Sequence, residues 1–193
     1  MPRIHEVIVT TLSPAGAVHI APMGIREEEG DILLQPFRPS RTLDNVLATR
    51  CAVVNYTDDV RVFAGCLTNR RAWATVPAGA VPGCRLHATL AHRELELARV
   101  EEDEVRPRLW CRTVRFESHA PFLGFNRAQA AVLEAAILVS RLDRLPREKI
   151  DAEMSYLAIG IAKTAGPVEL EAWGWLMERV DAHRAAPAGG AER

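Results

Sequence analysis

The sequence predicts an α+β fold, a small closed antiparallel β-barrel followed by a helical lobe. Two observations carry this. Within residues 1–118, about six segments rich in β-branched or alternating apolar residues are separated by turns too short for parallel crossovers. From residue 125 onward the apolar spacing changes to the helical period. No internal repeat interrupts this order. The reading therefore places a barrel over 1–120, a helical lobe over 121–185 and a disordered tail over 186–193.

The elements follow in order. His5 to Leu12 (HEVIVTTL) is β-branched and meets the turn signal Ser13-Pro14-Ala15-Gly16. Ala17 to Ile25 returns as its hairpin partner, and the acidic run Glu27 to Gly30 is a solvated turn. Asp31 to Phe37 is a third strand, in which Pro36 marks an edge or an end. Ser40 to Arg50 places Leu43, Val46 and Leu47 at helical spacing, with Ser40 or Thr42 able to cap its start. Cys51 to Tyr56 is a strand buried on both faces. Asp58 to Asn69 is a short helical turn within the barrel part. Arg85 to Glu101 and Val105 to Ser118 are two long strands joined by the exposed turn Glu101 to Glu104. Helices are predicted over Asn126 to Leu145, Arg147 to Thr164 and Pro167 to about Arg184, with Gly166 as the stop between the last two.

Composition excludes several classes. The 24 basic and 25 acidic residues leave a formal charge of −1, which argues against a dedicated nucleic-acid binder. No apolar run reaches transmembrane length, and the N-terminus lacks a signal-peptide profile, so the expectation is a soluble cytoplasmic protein without a membrane partner. Only Lys149 and Lys163 are lysines, so the other 22 basic residues are arginine, suited to bidentate phosphate contacts. Cys51, Cys66, Cys84 and Cys111 form no C-x-x-C pair, which argues for core thiols and against a metal site.

Two segments carry the candidate chemistry. The first is the strand-to-helix passage from Gln35 to Asn45. A helix start presents free amides and partial positive charge, and here Arg38, Ser40, Arg41 and Thr42 crowd it. Such a corner suits a phosphate dianion. An ordinary N-cap beside solvated arginines fits the same pattern. The second is His19-Ile20-Ala21-Pro22-Met23-Gly24. Pro22 cannot donate to a ladder, and small Ala21 and Gly24 leave the backbone open to a flat ligand. A barrel corner without a ligand fits equally, and His19 reads either as a base or as a hydrogen-bonded structural histidine.

Taken together, the strand with A-P and the helix opening Thr42-x-x-Asn45 resemble the flavin-reductase-like FMN-binding split-barrel superfamily, whose members carry N-x-A-P-x-S and then D-T-x-x-N. A closer resemblance is to the DUF447 family, through HEVIVTTLSPAG, HIAPMGI, FRPSRTLDNV, LTNRRAW and HAPFLGFNRAQAAVLEAAI, all in step over residues 4 to about 180.

The resemblance implies a split antiparallel β-barrel homodimer that binds FMN near the subunit interface. Thr42 and Asn45 would contact phosphate or ribityl, joined by Arg38 and Ser40. His19, Ala21, Pro22, Met23 and Gly24 would line the isoalloxazine edge, with Asn69 as a further candidate in a segment that also reads as an exposed turn. His19 stands where Asn is usual and Gly24 where Ser is usual, which bears on reductase activity more than on flavin binding. The hinge Phe122 to Arg127 would either cover the flavin or pack the helices, while Trp173 and Trp175 read as lobe core. A flavin brings its own hydride chemistry, so no catalytic side chain is assigned. The implied function is an FMN-dependent oxidoreductase with small-molecule electron donor and acceptor, linked to tetrahydromethanopterin-type one-carbon metabolism. The rival is a non-catalytic FMN carrier or sensor whose helical lobe docks a partner.

Overall fold

The computed structural model describes residues 3–185, so the predicted tail over 186–193 lies outside the described residues. In chain order the elements are β1 (His5–Leu12), β2 (Val18–Glu28), β3 (Asp31–Leu34), α1 (Arg41–Thr49), β4 (Cys51–Tyr56), α2 (Val60–Leu67), β5 (Thr75–Pro77), β6 (Cys84–Leu86), β7 (Ala91–Glu101), β8 (Arg108–Ser118), α3 (Arg127–Val139), α4 (Arg147–Thr164) and α5 (Pro167–Ala185). They divide into two units. One comprises residues 3–58 and 72–122, the other residues 59–71 and 123–185.

In the first unit six strands close an antiparallel barrel in the order β1-β2-β3-β8-β7-β4. The β1–β2 hairpin is in continuous register from His5↔Ile25 to Leu12↔Val18, as the alternation and the Pro-Ala-Gly turn require. The acidic turn is shorter than the charge run implies. β2 extends through Glu28, and only Glu29 and Gly30 take the positive φ that reverses the chain. β3 stops at Leu34, before Pro36 would withhold a ladder donor.

Alternation fills the interior with Val7, Val9, Ile25, Ile32, Leu34, Ala52, Val54, Leu95, Leu97, Leu109 and Cys111, and α1 adds Leu43 and Val46 to the same cluster. Each fully buried side chain of this size contributes roughly 1.5–3 kcal/mol.

The outer faces of β1, β4 and β7 are not left to solvent. Thr10, Val53, Asn55 and Glu94 on them are all buried. The β5–β6 ribbon is bonded to this layer: Thr10 Oγ1 donates to the Cys84 carbonyl, and the Leu86 amide donates to Asn55 Oδ1 at 2.7 Å. This ribbon corrects the expectation of one strand over Arg85 to Glu101. The chain turns between Leu86 and Ala91, where Thr89 Oγ1 bonds the carbonyls of Tyr56 (2.9 Å) and Ala91 (2.7 Å).

The second unit is helical. Its core is built from Val60 and Ala64 of α2, Ala128, Ala131, Val132, Ala135 and Ala136 of α3, Met154 and Ile161 of α4, and Ala172, Leu176 and Val180 of α5. The segment Asp58 to Asn69, read from sequence as part of the barrel, thus packs with the helices. Its apolar face, Val60, Phe63 and Ala64, has helical rather than strand spacing. Small residues let helices approach closely. A Cβ on Gly160 of α4 would come within 3.3 Å of the Arg127 carbonyl of α3. Asn126 caps α3, accepting from the amides of Ala128 (2.7 Å) and Gln129 (3.3 Å) while donating to the Thr164 carbonyl at 3.0 Å. α3 ends at Val139, six residues before the predicted Leu145, and the chain then continues as a turn. Trp173 and Trp175 are both partly buried against this core, and α5 packs against both α2 and α3. No described helix is long and apolar enough to cross a membrane.

Candidate functional site

Ser40 has extended backbone dihedrals (φ −154°, ψ 141°), and its Oγ accepts the Leu43 amide at 3.3 Å. It is the N-cap of α1, as its position before the apolar period requires. The Asp44 amide donates to the Ser40 carbonyl at 3.1 Å. This leaves the amides of Arg41 and Thr42 without a hydrogen-bond partner among the described residues. They are the donors that a helix start offers to an anion. Arg41 is exposed beside them, whereas Thr42 is 3% exposed.

Asn45 is one turn further on and also buried. Its Nδ2 donates to Thr11 Oγ1 at 2.9 Å. Thr11 pairs in register with His19 across the hairpin, so one buried hydrogen bond ties α1 to the end of β1 that faces His19. Sequence reasoning missed Thr11. The signal was there in Thr10 and Thr11, two adjacent hydroxyl residues closing an apolar strand. Both are buried, Thr10 bonded to the ribbon and Thr11 to α1.

β2 supplies a second kind of donor. β1 pairs with it from Val18 to Ile25, but β3 pairs with it only from Arg26 to Glu28. The edge of β2 from Ala21 to Ile25 that faces away from β1 therefore has no ladder partner among the described residues. Pro22 sits in the middle of that edge, where a missing N–H costs no ladder bond. Ala21, Pro22, Met23 and Gly24 are half-buried there, and α1 packs against β1 and β2. Gly24 fits a specific contact: a Cβ would lie 2.9 Å from Ile4 Cγ2 and 3.3 Å from Glu6 Oε1, so a serine there would displace Ile4.

Two predicted residues are not brought to this corner. Arg38 donates to Glu102 Oε2 at 2.5 Å and to the Asp103 carbonyl at 3.3 Å, not to a free anion position. The reason is a zipper between the segment before α1 and the β7–β8 loop. The Arg38 amide donates to the Val105 carbonyl at 2.9 Å, and Arg106 donates to the Gln35 carbonyl at 3.0 Å. The amides of Arg106 and Val105 hold the Asp103 carboxyl below its ordinary range, so the loop stays acidic. The cleft of about 480 Å³ beside it is lined by Arg38, Glu102, Asp103 and Glu104, three acids to one base. That lining repels a dianion. Asn69 belongs to the second unit, where it is exposed with a left-handed φ of 62° just after α2.

The fold and these motifs match one family. Its N-terminal model, described as Protein of unknown function (DUF447) N-terminal domain, covers residues 5–120, and Protein of unknown function (DUF447) covers residues 126–178. The chain belongs to the DUF447 family. Among solved structures, the FMN-bound DUF447 protein of Methanosarcina mazei is similar over 93% of this chain and 96% of that one, with a TM-score of 0.78 at 20% identity. The flavoredoxin of Methanosarcina acetivorans matches 64% of this chain and 72% of its own at a TM-score of 0.54 and 11% identity. The 2-nitrobenzoate 2-nitroreductase of Pseudomonas fluorescens matches 62% and 66% at 0.53 and 17%. At these identities the likeness establishes the split-barrel fold of flavin-reductase-like proteins. No curated protein matches this DUF447 chain.

Proposed function

We propose that this DUF447 protein is an FMN-binding flavoprotein that works as a homodimeric oxidoreductase. The observation that carries the reading is the juxtaposition of two backbone arrays, the Ala21–Ile25 edge of β2 and the first-turn amides of α1, joined through Asn45 and Thr11. A flat ring with a phosphate tail needs both, and a relative of the same family and fold is FMN-bound. Arg41, Ser40 and the Arg41 and Thr42 amides would hold the phosphate. The backbone of Ala21 to Gly24 would line the ring, with His19 at its rim. Asn45 acts as a positioning residue by holding Thr11. FMN, when bound, supplies hydride transfer between a small-molecule donor and acceptor. The family resemblance suggests a pterin-type one-carbon cofactor as substrate or product.

The test is titration of the purified chain with FMN, read by quenching of flavin fluorescence. Binding is expected, with Arg41→Ala weakening it about tenfold or more, since a charge-assisted contact to phosphate is worth about 1.5–3 kcal/mol. Arg38→Ala should leave affinity within about twofold, because its guanidinium belongs to Glu102. No binding overturns the reading, and an Arg38→Ala effect larger than that of Arg41→Ala moves the phosphate to the acidic cleft. Bleaching of bound FMN by NADH or NADPH separates the enzyme from the carrier, and sedimentation as a 21.3 kDa species removes the dimer.

A further inference from the structure

On the barrel, three titratable side chains form a line from the interior to the surface. Glu94 of β7 has no exposed surface. Its carboxylate accepts the amides of Gly79 (2.8 Å), Ala80 (2.5 Å) and Val81 (2.9 Å). Burial pushes its pKa up, but those amides and His92 outweigh burial and hold it below the ordinary value. His92, 2% exposed, places Nε2 3.2 Å from Glu94 Oε1 and Nδ1 2.9 Å from His119 Nε2. The two imidazole rings are near-parallel, inclined by 12° with centroids 5.0 Å apart. His119 follows the end of β8 and is exposed, and its backbone is fixed by a 2.7 Å bond to the Leu90 carbonyl.

With Glu94 ionised and His92 neutral, the hydrogen bonds fix where the protons sit. An ionised Glu94 can only accept, so His92 donates from Nε2. A neutral His92 then carries its lone pair on Nδ1, and His119 must donate to it from Nε2. The remaining lone pair of His119 lies on Nδ1, which has no partner in this chain of hydrogen bonds. Glu94 has a structural task in anchoring the 79–81 loop, and His92 fills its remaining acceptor site. Neither task needs His119. A second imidazole aligned on a buried carboxylate–imidazole pair is the arrangement that orients a base and stabilises its charged form.

We propose that His119 is a proton-transfer residue of a second site on the barrel, with His92 and Glu94 as its positioning residues. Its substrate class is a small molecule with an acidic O–H, N–H or activated C–H whose conjugate base is an anion. In the step, the X–H bond breaks and its electron pair stays on X. The proton forms an N–H bond at His119 Nδ1, and the new imidazolium is stabilised through His92 by Glu94, with no proton passing to the carboxylate. The charged groups facing His119 are Arg85 of β6, His92 of β7, and Arg115 and Glu117 of β8. Burial, Arg85 and His92, with Arg115, keep its pKa below the ordinary histidine value against Glu117, so the ring is neutral at neutral pH. The two guanidinium groups favour the anion that proton removal creates. This inference is independent of the flavin reading.

Long-range ¹H–¹⁵N spectra of the full chain test the line. Glu94→Gln presents an amide N–H to His92 Nε2 and is expected to invert both rings to the Nδ1–H form, removing the outward lone pair. His92→Phe leaves Glu94 and its three amides in place, removes the acceptor of the His119 Nε2–H and is expected to cost His119 its single tautomer. This variant carries the test if Glu94→Gln fails to fold. With p-nitrophenyl acetate as probe, His119 takes a proton from the attacking water as acetate and p-nitrophenolate are released. His119→Gln should slow that release about fivefold or more. A single unchanged His119 tautomer in His92→Phe, unchanged tautomers in folded Glu94→Gln, or an unchanged release rate in His119→Gln overturns the proposal.

Discussion

The barrel and the helical unit each bury a glutamate, and they do so by opposite means. In the barrel, Glu94 is held by amides 13 to 15 residues away, on a loop joining two short strands. In the helical unit, Glu169 is 8% exposed and accepts the Gly166 amide three residues earlier at 2.9 Å, with Gln129 at 3.3 Å. The first glutamate joins distant segments, while the second is largely a local cap at the start of α5. The same contrast runs through both units. The helical core is mostly alanine, valine and leucine, whose close approach needs only small size at helical spacing. The barrel adds a polar layer outside its apolar core, in which Thr10, Asn55, His92 and Glu94 are all buried and all bonded. Apolar packing tolerates small shifts, whereas a buried polar layer accepts only the register that satisfies every donor.

The largest expected effect comes from breaking the distant anchor. Glu94→Ala strands three amides and the His92 ring, and should destabilise the barrel by about 3–5 kcal/mol. Glu169→Ala removes mainly a cap and should cost the helical unit about 1 kcal/mol. Hydrogen exchange resolves the two units separately and avoids assuming one transition for both. Equal losses would remove the distinction between anchor and cap.

A smaller effect sharpens it through pH. The folded Glu94 carboxyl titrates below its ordinary value of 4.5, so its ionised form is favoured in the folded state. That stabilisation is fully present above the unfolded value and is lost as pH falls through the folded one. The stability gap between wild type and Glu94→Gln, followed by urea unfolding, should therefore narrow on acidification below about pH 4.5.

The smallest effect is a silence in the folded protein. All four cysteines are buried, and burial pushes Cys66 in the helical unit up to about 11 and Cys111 in the barrel up to about 12. Neither should react with a disulfide reagent at pH 8 until its unit opens, so the two labelling rates report the two opening equilibria. Fast labelling of either thiol in the native protein would contradict its burial.

Much of the candidate corner was legible in the sequence because its signals are short-range. Ser40 precedes an apolar helical period, Pro22 rules out a doubly paired strand, and the predicted helix opens at Asn126, which is the cap of α3. What escaped was set by partners far along the chain. Arg38 lies 64 residues from Glu102, and its charge beside a helix start looks the same whether or not an acidic loop has claimed it. Asn45 reads as a ligand contact until Thr11, 34 residues earlier, takes its amide. His92, Glu94 and His119 each look like surface polar residues, because alternation in β7 shows only which side they face and not that a ribbon covers that side.

The residues alone thus determined β1, β4 and α4 to the residue and the two-part order of the chain. These depend on dihedral preference and on apolar periods of two or 3.6 residues, which are properties of neighbours in sequence. Which polar groups are spent on one another and which stay available was decided only by the tertiary structure. Hydrogen bonds and ion pairs are satisfied by whatever lies within about 3 Å in space, and closing a barrel sets those neighbours without regard to distance along the chain.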